Sequence, residues 1–454
     1  MNRVTTAFQG NNLMARVLRS ASWLMVGYGG SQALRLVANL VLTRLLFPEA
    51  FGLLALINII LMGLGQFSDT GINAAIAQSK RGDDPEFLDT AFTIQVIRGL
   101  ILWCATILLA GPVAQFYGEP ELQRYLPIAG LSLAVAGLLP TRIETAHRHL
   151  LVGRVTILEF ASQIIGVLSM IALAAWTGSV SALVFGIVIQ AVARLLLMHF
   201  GLPGHANRFR WEAKAVREQL SFGKWIFFST AFWFVTSQGD RLILGKFVTL
   251  EVLGLYNIGY FLASFPMLLG YAINQRLLIP VYREKPAKES LNNWRKQRWL
   301  RAGLSASILS MLLVVAFAGP WLVGLLYDDR YLLSGPLVTL IALTMVPSVI
   351  GLTYDPAALA AGDSRTFFIY TASRATVQTL MLLVGLSWFG LIGGIAAVGL
   401  SMLATYPVLI WLAVKHGVWD PLHDAICLAL ATGLGLTALW LHQDVIRNML
   451  ASLG

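Results

Sequence analysis

Arginine and carboxylate side chains recur at helical spacing inside stretches of this chain that are otherwise apolar. Arg35 follows Gln32 by three residues and precedes Asn39 by four. On an α-helix such residues share one face. Gln95 and Arg98 repeat the three-residue spacing, and Arg374 with Gln378 repeat the four-residue spacing. Arg241 aligns with Ser237 beside Asp240, and Arg276 follows Gln275 at the end of an apolar run. Asp69, Glu159, Asp240 and Asp355 are the acids in comparable settings. A charge inside hydrocarbon is costly, so such residues face a protein interior or a water-filled cavity. A hydrated cavity with several guanidinium groups suits an anionic ligand such as a phosphate, which arginine holds bidentately. Gln32, Arg35, Asn39, Arg98, Arg241, Arg276 and Arg374 are therefore the candidate substrate-binding residues. The four acids are either counter-ions to them or carriers of a coupling proton or cation, and the residues leave both readings open. The Ser, Thr and single Gln members of these faces have a plainer use, as hydrogen bonds between packed helices.

No catalytic constellation accompanies these charges. A Walker loop, HExxH, GxSxG and a strand-flanked GxGxxG are all missing, so ATP bound to this chain does not power its work. His147 and His149 are two residues apart and diverge on a helix, which is poor metal geometry. Cys104 and Cys427 both lie in apolar runs, which excludes a disulfide framework and a cysteine metal site. No catalytic residue, metal or cofactor is expected.

The elements that must carry the charges are membrane helices. Of 454 residues 57% are hydrophobic and only 12% are charged, roughly half the charge of a soluble domain. Apolar runs long enough to cross a bilayer occupy 20–43, 51–77, 91–111, 125–146, 155–177 and 180–200. They resume at 221–245, 252–280, 302–327, 332–361, 366–388 and 390–414, with a weaker thirteenth at 425–442. This is an all-α polytopic protein of twelve spans, or thirteen with the last. A cytoplasmic N-terminus (1–19) precedes a first six-helix lobe (20–200), a cytoplasmic linker (201–220), a second lobe (221–414) and a C-terminal extension (415–454).

Starting from a cytoplasmic N-terminus, 25 of the 33 Lys and Arg residues fall in inside segments and six outside, with Arg35 and Arg98 inside spans. That asymmetry is the positive-inside pattern, and it accounts for an isoelectric point near 9.7 without nucleic acid. The outside loops are short, which disfavours a membrane glycan polymerase or ligase. Of the two long basic stretches, 281–301 mixes Trp294 and Trp299 with Arg295, Lys296, Arg298 and Arg301. It suits either a helix lying at the headgroup level or an ordinary connecting loop.

The chain also repeats itself. Val41–Leu53 recurs as Ile243–Leu255 at a constant offset of 202, matching Arg44 to Lys246, Glu49 to Glu251 and Gly52 to Gly254. Six spans separate the copies, an even number, so both halves enter the membrane in the same sense. Parallel repeats of this kind build two-lobed transporters.

At the repeat the chain resembles a known family. Leu42-Thr-Arg-Leu-Leu-Phe-Pro-Glu-Ala-Phe-Gly-Leu53, then Phe67-Ser-Asp-Thr-Gly71, is similar to the start of bacterial polysaccharide-transporter flippases. Asp240-Arg-Leu-Ile-Leu-Gly-Lys246, Leu253-Gly-Leu-Tyr256 and Ile279-Pro-Val-Tyr-Arg283 resemble their second-half signatures. The resemblance places the chain in the multidrug/oligosaccharidyl-lipid/polysaccharide exporter superfamily, nearest its Wzx-like lipopolysaccharide and colanic-acid branch. It implies a V-shaped, two-lobed flippase of the bacterial inner membrane. The substrate would be a polyprenyl-pyrophosphate-linked oligosaccharide for a surface or exopolysaccharide. Polysaccharide polymerases and glycosyltransferases of the same pathway would be its partners, beside membrane lipid. The rival within the superfamily is a multidrug or cation antiporter, which should want acids rather than arginines in its cavity.

Overall fold

The computed structural model describes residues 13–68, 71–72, 75–76 and 79–453, and their side chains except at 13–21, 24, 220–229, 276 and 453. The chain divides into two compact units, one of residues 1–46 and 57–231 (unit 1), the other of 47–56 and 232–454 (unit 2).

Unit 1 carries α1 (Leu13–Leu45), most of α2 (Pro48–Phe67), α3 (Pro85–Tyr117), α4 (Pro120–Gly137), the short α5 (Arg142–Arg148), α6 (Val152–Thr177) and α7 (Ser181–Gly201). Helix α8 (Ala213–Phe247) starts in unit 1 and ends in unit 2. Unit 2 continues with α9 (Leu250–Ala263), α10 (Phe265–Ile273), α11 (Ile279–Glu284), α12 (Leu291–Leu326), α13 (Ser334–Ala360) and α14 (Ser364–Ala404). It closes with α15 (Tyr406–Lys415), α16 (Pro421–Leu441) and α17 (Gln443–Leu453). Within the first unit α3 packs along α4, α6 along α7, and α1 against α6. The second repeats the scheme, with α12 along α13 and α13 against α9 and α14.

Among the described residues eight helices are long and apolar enough to cross a membrane, or up to ten if each of two bent pairs is one span. The bent pairs are α4 with α5 and α9 with α10, at 60° and 45°, which overlap the spans expected at 125–146 and 252–280. Pro266 explains the second bend: it lacks the N–H that would continue the helix. The spans expected at 366–388 and 390–414 meet at Gly390, whose φ of 57° and ψ of −147° break α14 into a hairpin. Only glycine adopts that backbone readily. Helix α16 meets the same length and composition test as the other spans.

The repeat has a physical counterpart inside unit 2. A methyl group on Gly52 would land on the Leu250 carbonyl oxygen, and one on Gly254 on the Pro48 carbonyl oxygen. Pro48 and Leu250 are themselves 202 apart, so the two contacts exchange under the repeat. The starts of α2 and α9 therefore cross with pseudo-twofold symmetry, at two glycines that let the backbones touch.

The two long basic stretches are built as follows. The stretch 201–220, expected as a linker, is tied by its backbone to α3. Arg208 N–H donates to Asp89 (3.0 Å), Arg210 N–H to the Thr93 hydroxyl (3.0 Å) and Glu212 N–H to the Thr90 hydroxyl (3.2 Å). Arg81 binds both Asp84 (2.6 Å) and Glu212 (2.8 Å), and its guanidinium holds both carboxyls below their ordinary range. The stretch 281–301 holds the end of α11, a short connection with a 3-10 turn at Ala287–Glu289 and, from Leu291 onward, the first turns of α12, a single helix of 36 residues.

Candidate functional site

On α1 the expected polar face is present. Gln32 Nε2 donates to the Tyr28 hydroxyl (3.1 Å), Asn39 is half-buried, and Arg35 is exposed. Among the described residues nothing bonds or ion-pairs to the Arg35 guanidinium. It lies ten residues before the end of α1, about 15 Å along the axis at 1.5 Å per residue. Helix α1 is not among the eight helices long and apolar enough to cross by that measure; if it crosses as the span expected at 20–43, a guanidinium this deep needs water around it.

Arg98 is differently employed. Its Nε donates to the Ser68 hydroxyl (2.9 Å) and an Nη to the Gly65 carbonyl. Gly65 is in the last turn of α2, where carbonyls lack intrahelical partners and the dipole is negative. Arg98 therefore caps α2 from α3. Glu159 on α6 takes an ion pair from Arg194 on α7, 2.6 Å apart and part-exposed on both sides. Arg194 lies in the span expected at 180–200, although the charge count groups it with the inside segments; it sits seven residues before the end of α7. Its long stem lets it lie in an apolar helix and still reach Glu159. Asp69 and the Arg276 side chain lie outside the described residues.

Unit 2 gathers several of the remaining candidates. A cavity of about 110 Å³ is lined by Ser237, Asp240, Tyr256, Arg374 and Gln378, among others. Asp240 accepts from the Tyr256 hydroxyl (2.7 Å) and lies 3.8 Å from Arg241. Arg241 stacks over the Tyr260 ring at 4.1 Å. One oxygen of Asp240, one of Asp355 and the Gln378 carbonyl are buried without a hydrogen-bond partner among the described residues. Asp355 lies within the field of Arg374. The space holds a handful of water molecules, far short of the several hundred Å³ of a small-ligand pocket. The candidates thus separate into Arg35 on α1, which has no partner among the described residues, paired or capping charges elsewhere in unit 1, and a small polar cavity in unit 2.

Hydropathy reading misses a second polar cluster in unit 2. Asp424 on α16 accepts from the Tyr354 and Tyr406 hydroxyls, both at 2.7 Å, and from His423 Nδ1 at 3.0 Å. Asp420 caps α16 and pairs with Arg298 at 2.6 Å. Arg301, with 0% of its surface exposed, lies over the Tyr354 ring at 5.5 Å. The signal available beforehand is the Asp-x-x-His-Asp run at the start of the thirteenth span. His147 and His149 turn to different carboxylates, Glu144 and Asp83, and no metal cluster occurs among the described residues.

An all-helical, two-unit membrane protein with internal repeats and interior arginines belongs to the class of multi-pass transporters. A family model described as "Polysaccharide biosynthesis protein" matches residues 41–336, and the chain belongs to that family. The succinoglycan biosynthesis transport protein ExoT of Rhizobium meliloti (strain 1021) is 22% identical over 414 residues, covering 88% of this chain and 78% of that protein. The solved structure of the lipid II flippase MurJ, inward closed, matches with a TM-score of 0.67 at 12% identity, over 93% of this chain and 99% of that one. An inward-facing multidrug resistance MATE family transporter of the MOP superfamily matches with a TM-score of 0.62 at 13% identity, over 85% and 94%. The fold is the superfamily's, and the protein is a membrane transporter rather than an enzyme.

Proposed function

We propose that this chain is a lipid-linked oligosaccharide flippase of the bacterial cytoplasmic membrane. It moves a polyprenyl-pyrophosphate-linked glycan from the inner to the outer leaflet, for assembly into a surface or secreted polysaccharide. The observation that carries the reading is Arg35: an arginine well inside α1, exposed and without a protein partner among the described residues. Such a group is stable only beside water or an anion, and a pyrophosphate supplies the anion. Support comes from the names of two similar proteins, the succinoglycan biosynthesis transport protein ExoT and the lipid II flippase MurJ. A drug-cation antiporter would be served badly by an unpaired arginine on that face. The remaining charges, Arg241, Arg374, Asp240 and Asp355, would tune the second unit or carry a coupling proton or cation. Polymerases and glycosyltransferases of the pathway are the expected partners, and the N-terminus is cytoplasmic.

The test is export per molecule of protein in the membrane. Deleting the gene should stop a surface or secreted glycan while its lipid-linked precursor accumulates on the cytoplasmic side. Arg35→Ala should remove a charge-assisted contact worth about 1.5–3 kcal/mol, roughly a 10- to 150-fold loss in substrate affinity. Arg35→Lys should recover part, keeping the charge without the planar fork. Undiminished export per molecule in Arg35→Ala would remove the substrate contact. Normal glycan in the deletion strain, with new sensitivity to cationic drugs, would replace the flippase by the antiporter.

A further inference from the structure

The first three turns of α12 hold Arg295, Lys296, Arg298 and Arg301 and no acid. Cations at a helix N-terminus oppose the macrodipole, so they do not serve helix stability. Two of the four are taken up inside unit 2, Arg298 by Asp420 and Arg301 by the Tyr354 ring. Gln297 adds a bond to the Lys285 carbonyl (2.6 Å), and the inner side of the extension is thereby fixed. Arg295 and Lys296 are exposed and have no carboxylate partner among the described residues.

Their height and direction follow from the same helix. At about 100° per residue, Arg295, Lys296, Trp299, Val314 and Trp321 fall within roughly 100° of one another. Trp299 is 79%, Val314 65% and Trp321 66% exposed, so this stripe is the lipid-facing side of α12. The two tryptophans are 22 residues apart, about 33 Å along the axis, against a hydrocarbon core of about 30 Å. They mark the two interfaces, as tryptophan does in membrane proteins. Arg295 and Lys296 then stand about one turn beyond Trp299, at the level of lipid phosphates.

We infer that this face of α12 is a binding surface for an anionic phospholipid of the inner leaflet. The Arg295 and Lys296 side chains meet the lipid phosphate, Trp299 packs on the glycerol and upper acyl region, and the positive end of α12 adds to the attraction. The leaflet assignment rests on the orientation proposed above; binding itself does not depend on the flippase reading. The experiment titrates a short-chain phosphatidylglycerol, and separately the phosphatidylcholine analogue, into the purified full-length protein. Occupancy is counted by native mass spectrometry. Wild type should bind phosphatidylglycerol in preference. Arg295→Gln with Lys296→Gln should weaken it about 30-fold, at about fivefold per basic residue, with phosphatidylcholine unchanged. Trp299→Ala should weaken both lipids. Lys214→Gln with Arg217→Gln, an exposed basic pair in unit 1, removes equal charge and should leave high-affinity binding intact. Unchanged phosphatidylglycerol binding in the α12 double variant would overturn the proposal. So would an equal loss in the unit 1 pair, which would mean net charge alone. Displacement of the lipid by inorganic pyrophosphate would assign the surface to the glycan carrier instead.

Discussion

Arg35 and Arg98 look equivalent along the sequence, each an arginine in an apolar run beside a glutamine at three residues' distance. The structure separates them by what their donors reach. Arg98 bonds Ser68 and the Gly65 carbonyl, so its loss leaves the end of α2 without a cap and opens a polar gap beside α3. Arg98→Ala should therefore destabilise the protein by about 1.5–3 kcal/mol, seen as a lower melting temperature and less protein in the membrane. Export per molecule should stay near wild type, opposite to the expectation for Arg35→Ala. A variant as stable and abundant as wild type that fails to export would return Arg98 to the substrate path. The same distinction holds for Glu159, whose charge is answered by Arg194. Helical spacing identifies which residues share a face; it does not say what stands opposite, and that decides their work.

Helix α16 shows the same limit one level up. Its sequence is a modest apolar run behind Asp420, His423 and Asp424, which hydropathy places at a loop boundary. In the fold those residues are buried and bind α12, α13 and α15 through Arg298, Ser305, Tyr354 and Tyr406. The thirteenth helix is thus built into unit 2 rather than appended to it. Asp424→Ala would leave the buried Tyr354 hydroxyl, the half-buried Tyr406 hydroxyl and His423 without their acceptor, at a cost of about 3–5 kcal/mol. We expect sharply reduced protein in the membrane and a protease-sensitive C-terminus, and partial recovery in Asp424→Asn, which still accepts hydrogen bonds. Wild-type abundance and protection in Asp424→Ala would show α16 to be held by apolar packing alone. The spans themselves are legible because about 20 apolar residues per crossing is a demand of the bilayer, and the repeat because Gly52 and Gly254 must both be glycine where backbones touch. The bend at α9–α10 can be read from Pro266; the bend at α4–α5 and the burial of Arg301 cannot. They depend on neighbours far away in sequence.

For the molecule as a whole, charge asymmetry carries the proposed orientation, and the structure refines the count. Arg194 and Arg374 lie within helices as a partner of Glu159 and a cavity wall, and Arg241 stacks on Tyr260. Removing the first two from the inside set and the third from the outside set leaves 23 against 5. The positive-inside bias grows, because the misplaced charges have interior work. Single cysteines in a background lacking Cys104 and Cys427 test the result. Lys214→Cys and Asn292→Cys, both exposed, should react with a membrane-impermeant maleimide only after the cells are opened. Gln123→Cys and Asp329→Cys, also exposed, should react in intact cells. Because α16 is long and apolar enough to cross, an odd number of spans puts α17 outside, and a reporter fused after Gly454 should be active only in the periplasm. Labelling of Asn292→Cys in intact cells would invert the whole arrangement. A cytoplasmic reporter at Gly454, with the four cysteines as expected, would instead mean that α16 packs on unit 2 without crossing.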